Sequence, residues 1–244
     1  MAGHAVSVIV PAFNEERLLP ATLRSIRTAM AAFDARNWAS ELIVCDNNST
    51  DRTAELARAG GAILVSEPLN QIGRARNTGA ARASGDWLLF VDADSQPSPE
   101  LFGDVAAEIE GGRCLAGGST FAADSDRAAA RFVAHLWNAL SRINRWAAGS
   151  FIFCEAAAFR EAGGFSPDLY AAEEIDLFRR LKRLARSRER TVVILHRHPL
   201  STSDRRIRLY TFGEHLAFLA KTSLSAGRTL RDRSACFPWY DGRR

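Results

Sequence analysis

Short uninterrupted apolar runs alternate along this chain with stretches whose apolar residues recur every three or four positions. That alternation predicts strands followed by helices. Val6 to Val10 is the first run, and Pro11, which cannot donate to a ladder, predicts its end. Leu19, Leu23, Ile26, Met30 and Phe33 then form one stripe suited to packing a helix on a sheet. Leu42 to Cys45 predicts a second strand running into the polar segment Asp46-Asn47-Asn48-Ser49-Thr50-Asp51, and Thr53 to Ala59 a second helix, for which Asp51 is a natural cap. Ala62 to Val65 follows the Gly60-Gly61 break as a third strand. Gln71 to Ala83 reads as a glycine-interrupted helix, and Trp87 to Val91 as a fourth strand ending in Asp92-Ala93-Asp94.

Successive strand-then-helix units argue for a parallel, doubly wound α/β sheet. Ligands of such sheets bind beyond the carboxyl ends of the strands. That rule selects the segments after Val10, Cys45 and Val91, and all three are polar or acidic. The second half is less regular. Leu115 to Phe121 predicts a strand, Arg127 to Trp146 an amphipathic helix, Ser150 to Phe153 a short strand, and Glu173-Glu174-Ile175-Asp176 an acidic helix start after the Gly163-Gly164 turn. Thr191 to Leu195 predicts the last strand, and Arg206 to about Leu219 a helix leading to an aromatic, basic tail. No internal repeat or low-complexity linker divides residues 1–244, so one domain is expected.

Composition changes this picture little. The chain has 244 residues, 47% hydrophobic and 25% charged, with a net charge of +4, too small to mark a nucleic-acid binder. The distribution of charge says more. Arg179, Arg180, Lys182, Arg183, Arg186, Arg188 and Arg190 crowd one stretch. Such a run is usually a solvated helix face; it also suits a phosphate-bearing ligand or an anionic membrane surface. Cys45, Cys114, Cys154 and Cys236 stand far apart, so neither a zinc site nor a disulfide framework is indicated. Without a signal sequence or an apolar run long enough to span a bilayer, a cytoplasmic protein is expected, with peripheral contact at the inner face of the membrane left open.

The sharpest chemical feature is Asp92-Ala93-Asp94. Alternate residues at a strand end can set two carboxylates around one hard divalent cation. Mg²⁺ or Mn²⁺ held by few carboxylates completes its shell with water and substrate phosphates, which points to a nucleotide diphosphate. The triplet is common by chance, and its place at the ligand edge of the sheet gives it weight.

Four segments together resemble the glycosyltransferase family 2 sequences of the GT-A fold, in that family's order. They are Ser7-Val8-Ile9-Val10-Pro11-Ala12-Phe13-Asn14-Glu15-Glu16, Cys45-Asp46-Asn47-Asn48-Ser49-Thr50-Asp51, Arg74-Ala75-Arg76-Asn77-Thr78-Gly79-Ala80 and Gly85-Asp86-Trp87-Leu88-Leu89-Phe90-Val91-Asp92-Ala93-Asp94. The resemblance implies a Rossmann-like, doubly wound, mostly parallel sheet with a smaller acceptor-side subregion. Residues 1–100 would bind a nucleotide sugar, and residues 101–244 the acceptor. It further implies that Pro11, Ala12, Phe13 and Glu15 lie against the base and ribose, that Asp46 accepts from the base imide, and that Arg76 sits near the diphosphate. Asp92, followed by Ala93, would face the ribose and the metal, with Asp94 the main metal ligand.

Downstream, Gly149-Ser150-Phe151-Ile152-Phe153 and Phe159-Arg160-Glu161-Ala162-Gly163-Gly164-Phe165 are similar to the family's acceptor-side strand, helix and turn, which puts Gly149 and Ser150 at the acceptor. Glu173-Glu174-Ile175-Asp176-Leu177 stands where the family usually has Glu-Asp-x-Asp-Leu. Glu174 thus matches the general base, one methylene longer than usual, and Glu173 is the other candidate. The residues alone also fit acids placed on a helix dipole. His198, in His196-Arg197-His198, is a candidate third metal ligand. Ser201-Thr202-Ser203-Asp204-Arg205-Arg206 looks like the family's late element, with Arg205 and Arg206 closing on the diphosphate.

The expected activity is inverting transfer of one sugar, of the hexosyltransferase type, from a nucleotide diphosphate sugar to a hydroxyl of a glycan, lipid-linked or small-molecule acceptor, with Mn²⁺ or Mg²⁺. UDP is favoured on family frequency alone. A sugar-phosphate nucleotidyltransferase would carry a Gly-rich, basic loop after the first strand, which Pro11-Ala12-Phe13-Asn14-Glu15 lacks. A catalytically silent nucleotide-sugar-binding or scaffold protein of the same fold is the third reading.

Overall fold

The computed structural model describes residues 3–123, 138–139, 141–147, 149–203 and 228–236. The first four apolar runs are strands joined by helices: β1 (Ala5–Ala12), α1 (Leu19–Asp34), β2 (Ala39–Asp46), α2 (Thr53–Ala59), β3 (Ile63–Ser66), α3 (Ile72–Arg82) and β4 (Trp87–Val91). Then come β5 (Ser95–Gln96), α4 (Pro99–Glu110), β6 (Cys114–Ala123), β7 (Phe151–Glu155), α5 (Ala156–Glu161), α6 (Glu173–Ser187), β8 (Thr191–Thr202) and a 3₁₀ turn, Arg228–Arg231.

The strands form one eight-stranded sheet in the order β3-β2-β1-β4-β7-β6-β8-β5. From β3 to β4 every pairing is parallel. β7 runs antiparallel to both β4 and β6, and β8 is parallel to β6. The chain winds from β1 outward to β3 and then crosses to β4 on the other flank of β1. The switch point therefore lies between β1 and β4, where a crevice opens beyond the strand ends.

Both faces of the central strands are buried, which explains why they read as continuous apolar runs rather than alternating ones. Val6, Val8 and Val10 of β1 and Trp87, Leu89 and Val91 of β4 join one core with α1 and α4. Ile9, Leu88 and Phe90 point the other way, into a core with α5 and α6. There Phe90 packs on Phe159 and Phe165 at 5.4 and 5.2 Å between ring centroids. The α1 stripe is buried as expected. Gly79 lets α3 lie directly on β1, since a Cβ there would meet the Ile9 side chain at 2.4 Å. α4 starts at Ser98-Pro99, where the serine hydroxyl accepts from the Leu101 amide at 3.2 Å.

Two strands run further than the sequence reading has them. β1 continues through Pro11 to Ala12, because its pairing with β4 covers only Val6 to Ile9 and, among the described residues, no ladder partner lies on that side of the proline. β8 does not stop at Leu195 but runs to Thr202, held by Phe121–Ala123 of β6 beyond a register shift and by β5. Its polar middle hid this extension. β4 ends at Val91 as expected, and Asp92 to Ser95 directly after it is a tight turn closed by the Ser95 amide on the Asp92 carbonyl at 3.1 Å. Of the helix expected over 127–146, the described residues 138–139 and 141–144 are helical, and Arg145 and Trp146 lie beyond its end. The helix expected from Arg206 lies outside the described residues, as do Trp137, Trp239 and Tyr240.

Candidate active site

The loops after β1 and β2 are laced together by short polar side chains. Asn14, in the left-handed region at φ 52°, accepts from the Thr50 amide at 2.7 Å, while its own amide donates to the Ser49 hydroxyl at 2.9 Å. The Glu15 amide donates to Thr53 Oγ1 at 2.7 Å. Asp51 accepts from the amides of Glu16 and Thr53 and from the Thr53 hydroxyl, which makes it a structural tie. Ala12 is buried, and its carbonyl takes the Asn47 amide at 2.7 Å. Ala93 is buried too, with its carbonyl accepting from Thr22 Oγ1 at 2.8 Å. Pro11 is buried, Phe13 half-buried and Glu15 buried. At the end of β2, Asp46 carries a buried Oδ1 with no partner among the described residues. An orphaned acceptor of this kind costs free energy until a donor arrives.

Arg76 on α3 is the centre of the site. It is only 1% exposed, and its Nη1 donates to Glu173 Oε1 at 2.7 Å, while Nη2 donates to Asp92 Oδ1 at 2.9 Å and to the Gly149 carbonyl at 2.8 Å. The guanidinium also lies over the Phe165 ring, 5.2 Å from its centroid. Burial opposes its charge, but Asp92, Glu173 and Glu174 outweigh that and hold its pKa above the usual arginine range. Arg76, expected to sit near the diphosphate, thus stands beside Asp92 of the acidic turn. Its two terminal nitrogens are occupied by protein oxygens, and its structural effect is to bind the β4 turn to the start of α6.

Glu173 and Glu174 open α6 directly after Ala172, a non-glycine residue held at φ 60°. Such a conformation costs on the order of 1 kcal/mol or more and persists only where the surroundings enforce it. Here it turns Glu173 inward, where it is 4% exposed and bound to Arg76. Glu174 is half-buried, with its carboxyl carbon 3.6 Å from where a Cβ on Gly149 would stand. Gly149 thus leaves room for Arg76 and Glu174 to approach the same backbone. Burial, Glu173 alongside and Asp92 beyond raise the pKa of Glu174 to about 8, with Arg76 pulling partly against them. The next residue, Ser150, accepts the Asp92 amide on its carbonyl at 3.1 Å.

Two further residues tie α3 to the loop before α6. Asn77 exchanges hydrogen bonds with the backbone of Phe165, and Gln71 Nε2 donates to the carbonyls of Pro167 and Leu169. Sequence reading passed over both, although Asn77 stands inside a quoted motif. The described tail returns here as well. The Tyr170 amide donates to the Leu230 carbonyl at 2.7 Å, and Cys236 is buried, its thiol pushed up to about 11 by burial, Asp232 and Glu173.

The metal expectation is changed by geometry. His198 Nδ1 lies 3.0 Å from Asp104 on α4, four residues along β8 from the Thr202 that pairs with Ser95. Among the described residues, no three His, Cys, Asp or Glu side chains gather as a metal site, so a set of Asp92, Asp94 and His198 does not form. Two carboxylates in one turn fit a cation that shares its shell with a diphosphate rather than one caged by protein. Arg205 and Arg206 lie outside the described residues. Ser203, just before them, donates its amide to the Asp94 carbonyl at 3.2 Å, so the chain leaves β8 at the acidic turn.

The sequence profile described as "Glycosyl transferase family 2" matches residues 7–162. An uncharacterized glycosyltransferase of Mycobacterium tuberculosis is 36% identical over 118 residues, 48% of this chain and 50% of that protein. The chain thus spans about half the length of that curated relative. Glucosyl-3-phosphoglycerate synthase from Mycobacterium tuberculosis, solved with Mn²⁺, UDP and phosphoglyceric acid, superposes with a TM-score of 0.62 at 21% identity, over 91% of this chain and 76% of that one. A mannosyltransferase from Pyrobaculum calidifontis, solved with GDP-Man and Mn²⁺, gives 0.67 at 17% identity, over 98% and 68%. At these identities the likeness carries the fold, GT-A, and no further. No helix among the described residues is long and apolar enough to cross a membrane.

Proposed function

We propose, from the premise that this chain belongs to glycosyl transferase family 2, that it moves one sugar from a nucleotide diphosphate sugar to an acceptor hydroxyl, with inversion, Glu174 serving as the base. The observation that carries this reading is the bridge made by Arg76. One buried guanidinium holds Asp92 of the donor edge and Glu173 of the acceptor edge, leaving Glu174 as the neighbouring carboxylate that Arg76 does not bind.

Asp46 presents its orphaned oxygen to a donor on the base, as the imide of uracil supplies. In this reading Pro11, Ala12, Phe13, Glu15 and Ala93 would lie against the base, ribose and diphosphate. Asp94, with Asp92, would hold Mn²⁺ or Mg²⁺, which when bound offsets the charge that builds on the departing diphosphate. Arg205 and Arg206 supply further positive charge for the same purpose. Glu174 takes the proton of the acceptor hydroxyl. The oxygen's electron pair forms the new bond to the anomeric carbon as the bond to the diphosphate breaks, and that pair leaves with the diphosphate. A pKa near 8 makes Glu174 a stronger base than an ordinary carboxylate once ionised. Glu173, already bound to Arg76, is a positioning residue.

UDP is the proposed nucleotide, supported by Asp46. A panel of nucleotide sugars with Mg²⁺ and Mn²⁺, followed by thermal shift, ranks donors because ligand binding raises apparent stability. Donor turnover measured for the native chain and for Asp94→Ala then tests catalysis. If no donor is turned over with either metal, the chain is a binding protein and the enzymatic reading falls.

A further inference from the structure

At the end of the sheet remote from the candidate active site, where β6 and β8 begin, four cationic side chains converge on one concavity. It measures about 330 Å³ and is lined by Arg145, Lys182, Arg186 and Arg190, with Ile143 and Thr191 among their neighbours and no carboxylate among the described residues of its lining. Thr191 opens β8 and Thr202, beside the acidic turn, closes it. Roughly 35 Å of strand separate the two ends.

Each cation is brought there by the fold. Arg145, at φ 50°, ends the short helical segment at 141–144. Lys182 donates to the Asn144 carbonyl, an end of that same segment. Arg186 stands one turn further along α6. Arg190 pairs with Glu155 at 3.1 Å and with the Cys114 carbonyl, yet its Nε is buried with no partner among the described residues. On a solvated face, long cationic side chains diverge. Here the ammonium of Lys182 is held below the usual lysine range by burial and by Arg145, Arg186 and Arg179. Arg145 and Arg186 have no carboxylate within ion-pair distance among the described residues.

We propose that this concavity is a second binding site, for a phosphate monoester or diphosphate group, formed by Arg145, Lys182, Arg186 and Arg190. Arginine forks match phosphate oxygens, and an anion relieves the mutual repulsion of cations that the fold forces together. The volume falls at the lower end of the range for ligand pockets. Ile143, 77% exposed, gives the rim one apolar residue. The phosphate can therefore belong to a soluble metabolite or to a lipid headgroup. The site stands on residues that the proposed transfer does not use.

The test is calorimetric titration of the full chain with inorganic phosphate and with pyrophosphate in EDTA, against chloride at matched ionic strength. Phosphatidate and phosphatidylcholine vesicles form the second arm. The native chain, Asp94→Ala and the double variant Arg145→Gln/Arg186→Gln are compared, with circular dichroism confirming that each is folded. Saturable phosphate binding kept by Asp94→Ala and weakened at least about ten-fold in the double variant supports the site with a soluble ligand. Retention on phosphatidate vesicles alone, lost in the double variant, supports it with a lipid ligand. Binding unchanged in the double variant, binding lost in Asp94→Ala, or binding to neither probe overturns it.

Discussion

Arg76 and Arg186 belong to opposite ends of one sheet, and the fold answers their charges in opposite ways. Around Arg76 two carboxylates and a backbone carbonyl are already in place, and the guanidinium is almost wholly withdrawn from water. Around Arg186 the neighbours lining the concavity are themselves cationic or neutral. A buried cation must be matched within the chain because desolvation is costly, whereas a cation at the rim of a cavity can wait for a mobile anion. The first arrangement builds a rigid junction and the second an opening for a ligand.

The sharpest way to break this comparison is Arg76→Met. It leaves Glu173 and Asp92 buried without their counter-charge and should cost about 3–5 kcal/mol in urea unfolding. Arg186→Gln should change stability by less than about 0.5 kcal/mol. Equal losses would mean that both arginines are structural.

Next in size, Glu174→Gln should lower transfer by about 10²–10⁴-fold while leaving donor affinity intact. Full activity in that variant would falsify the base assignment.

The same carboxylate sets a pH dependence. Its folded pKa, about 8, lies above its ordinary 4.5. The folded state therefore holds a proton that the unfolded state releases, so the contribution to stability is complete below about pH 4.5 and is lost as pH rises through 8. Relative to the native chain, Glu174→Gln should gain stability between pH 5 and 9, on the order of 1 kcal/mol after solvent screening, read as a rising difference in Tm. Transfer by the native chain should increase over the same interval. A pH-independent Tm difference would place the titration elsewhere.

The smallest effect is expected at His198. Paired with Asp104 and away from the acidic turn, His198→Ala should change metal affinity less than about two-fold, as for an exposed ion pair.

The parallel half of the fold was legible because burial on both faces writes itself as uninterrupted apolar runs, from Val6 to Val10 and from Trp87 to Val91. The ligand edge followed from topology alone. What stayed hidden depends on contacts between residues far apart in the chain. Nothing local in Arg74-Ala75-Arg76 tells which arginine turns inward: Arg74 bonds Gln71, while Arg76 crosses to Glu173. Glu173 and Glu174 look interchangeable in sequence, and the left-handed Ala172 is what separates them. The extent of β8 was missed because three of the four residues in His196-Arg197-His198-Pro199 are polar for reasons of exposure, while its neighbours in the sheet decide that it is a strand.

Strand β8 joins the phosphate concavity at Thr191 to the acidic turn at Thr202 and works as a ruler between them. Substitution along it changes a side chain, but an inserted or deleted residue would reverse inward and outward positions and displace Ser203 from Asp94. Among descendants of this chain, changes of length should therefore collect in the turns on either side of β8, and the strand itself should keep its count of residues even where few of their identities survive.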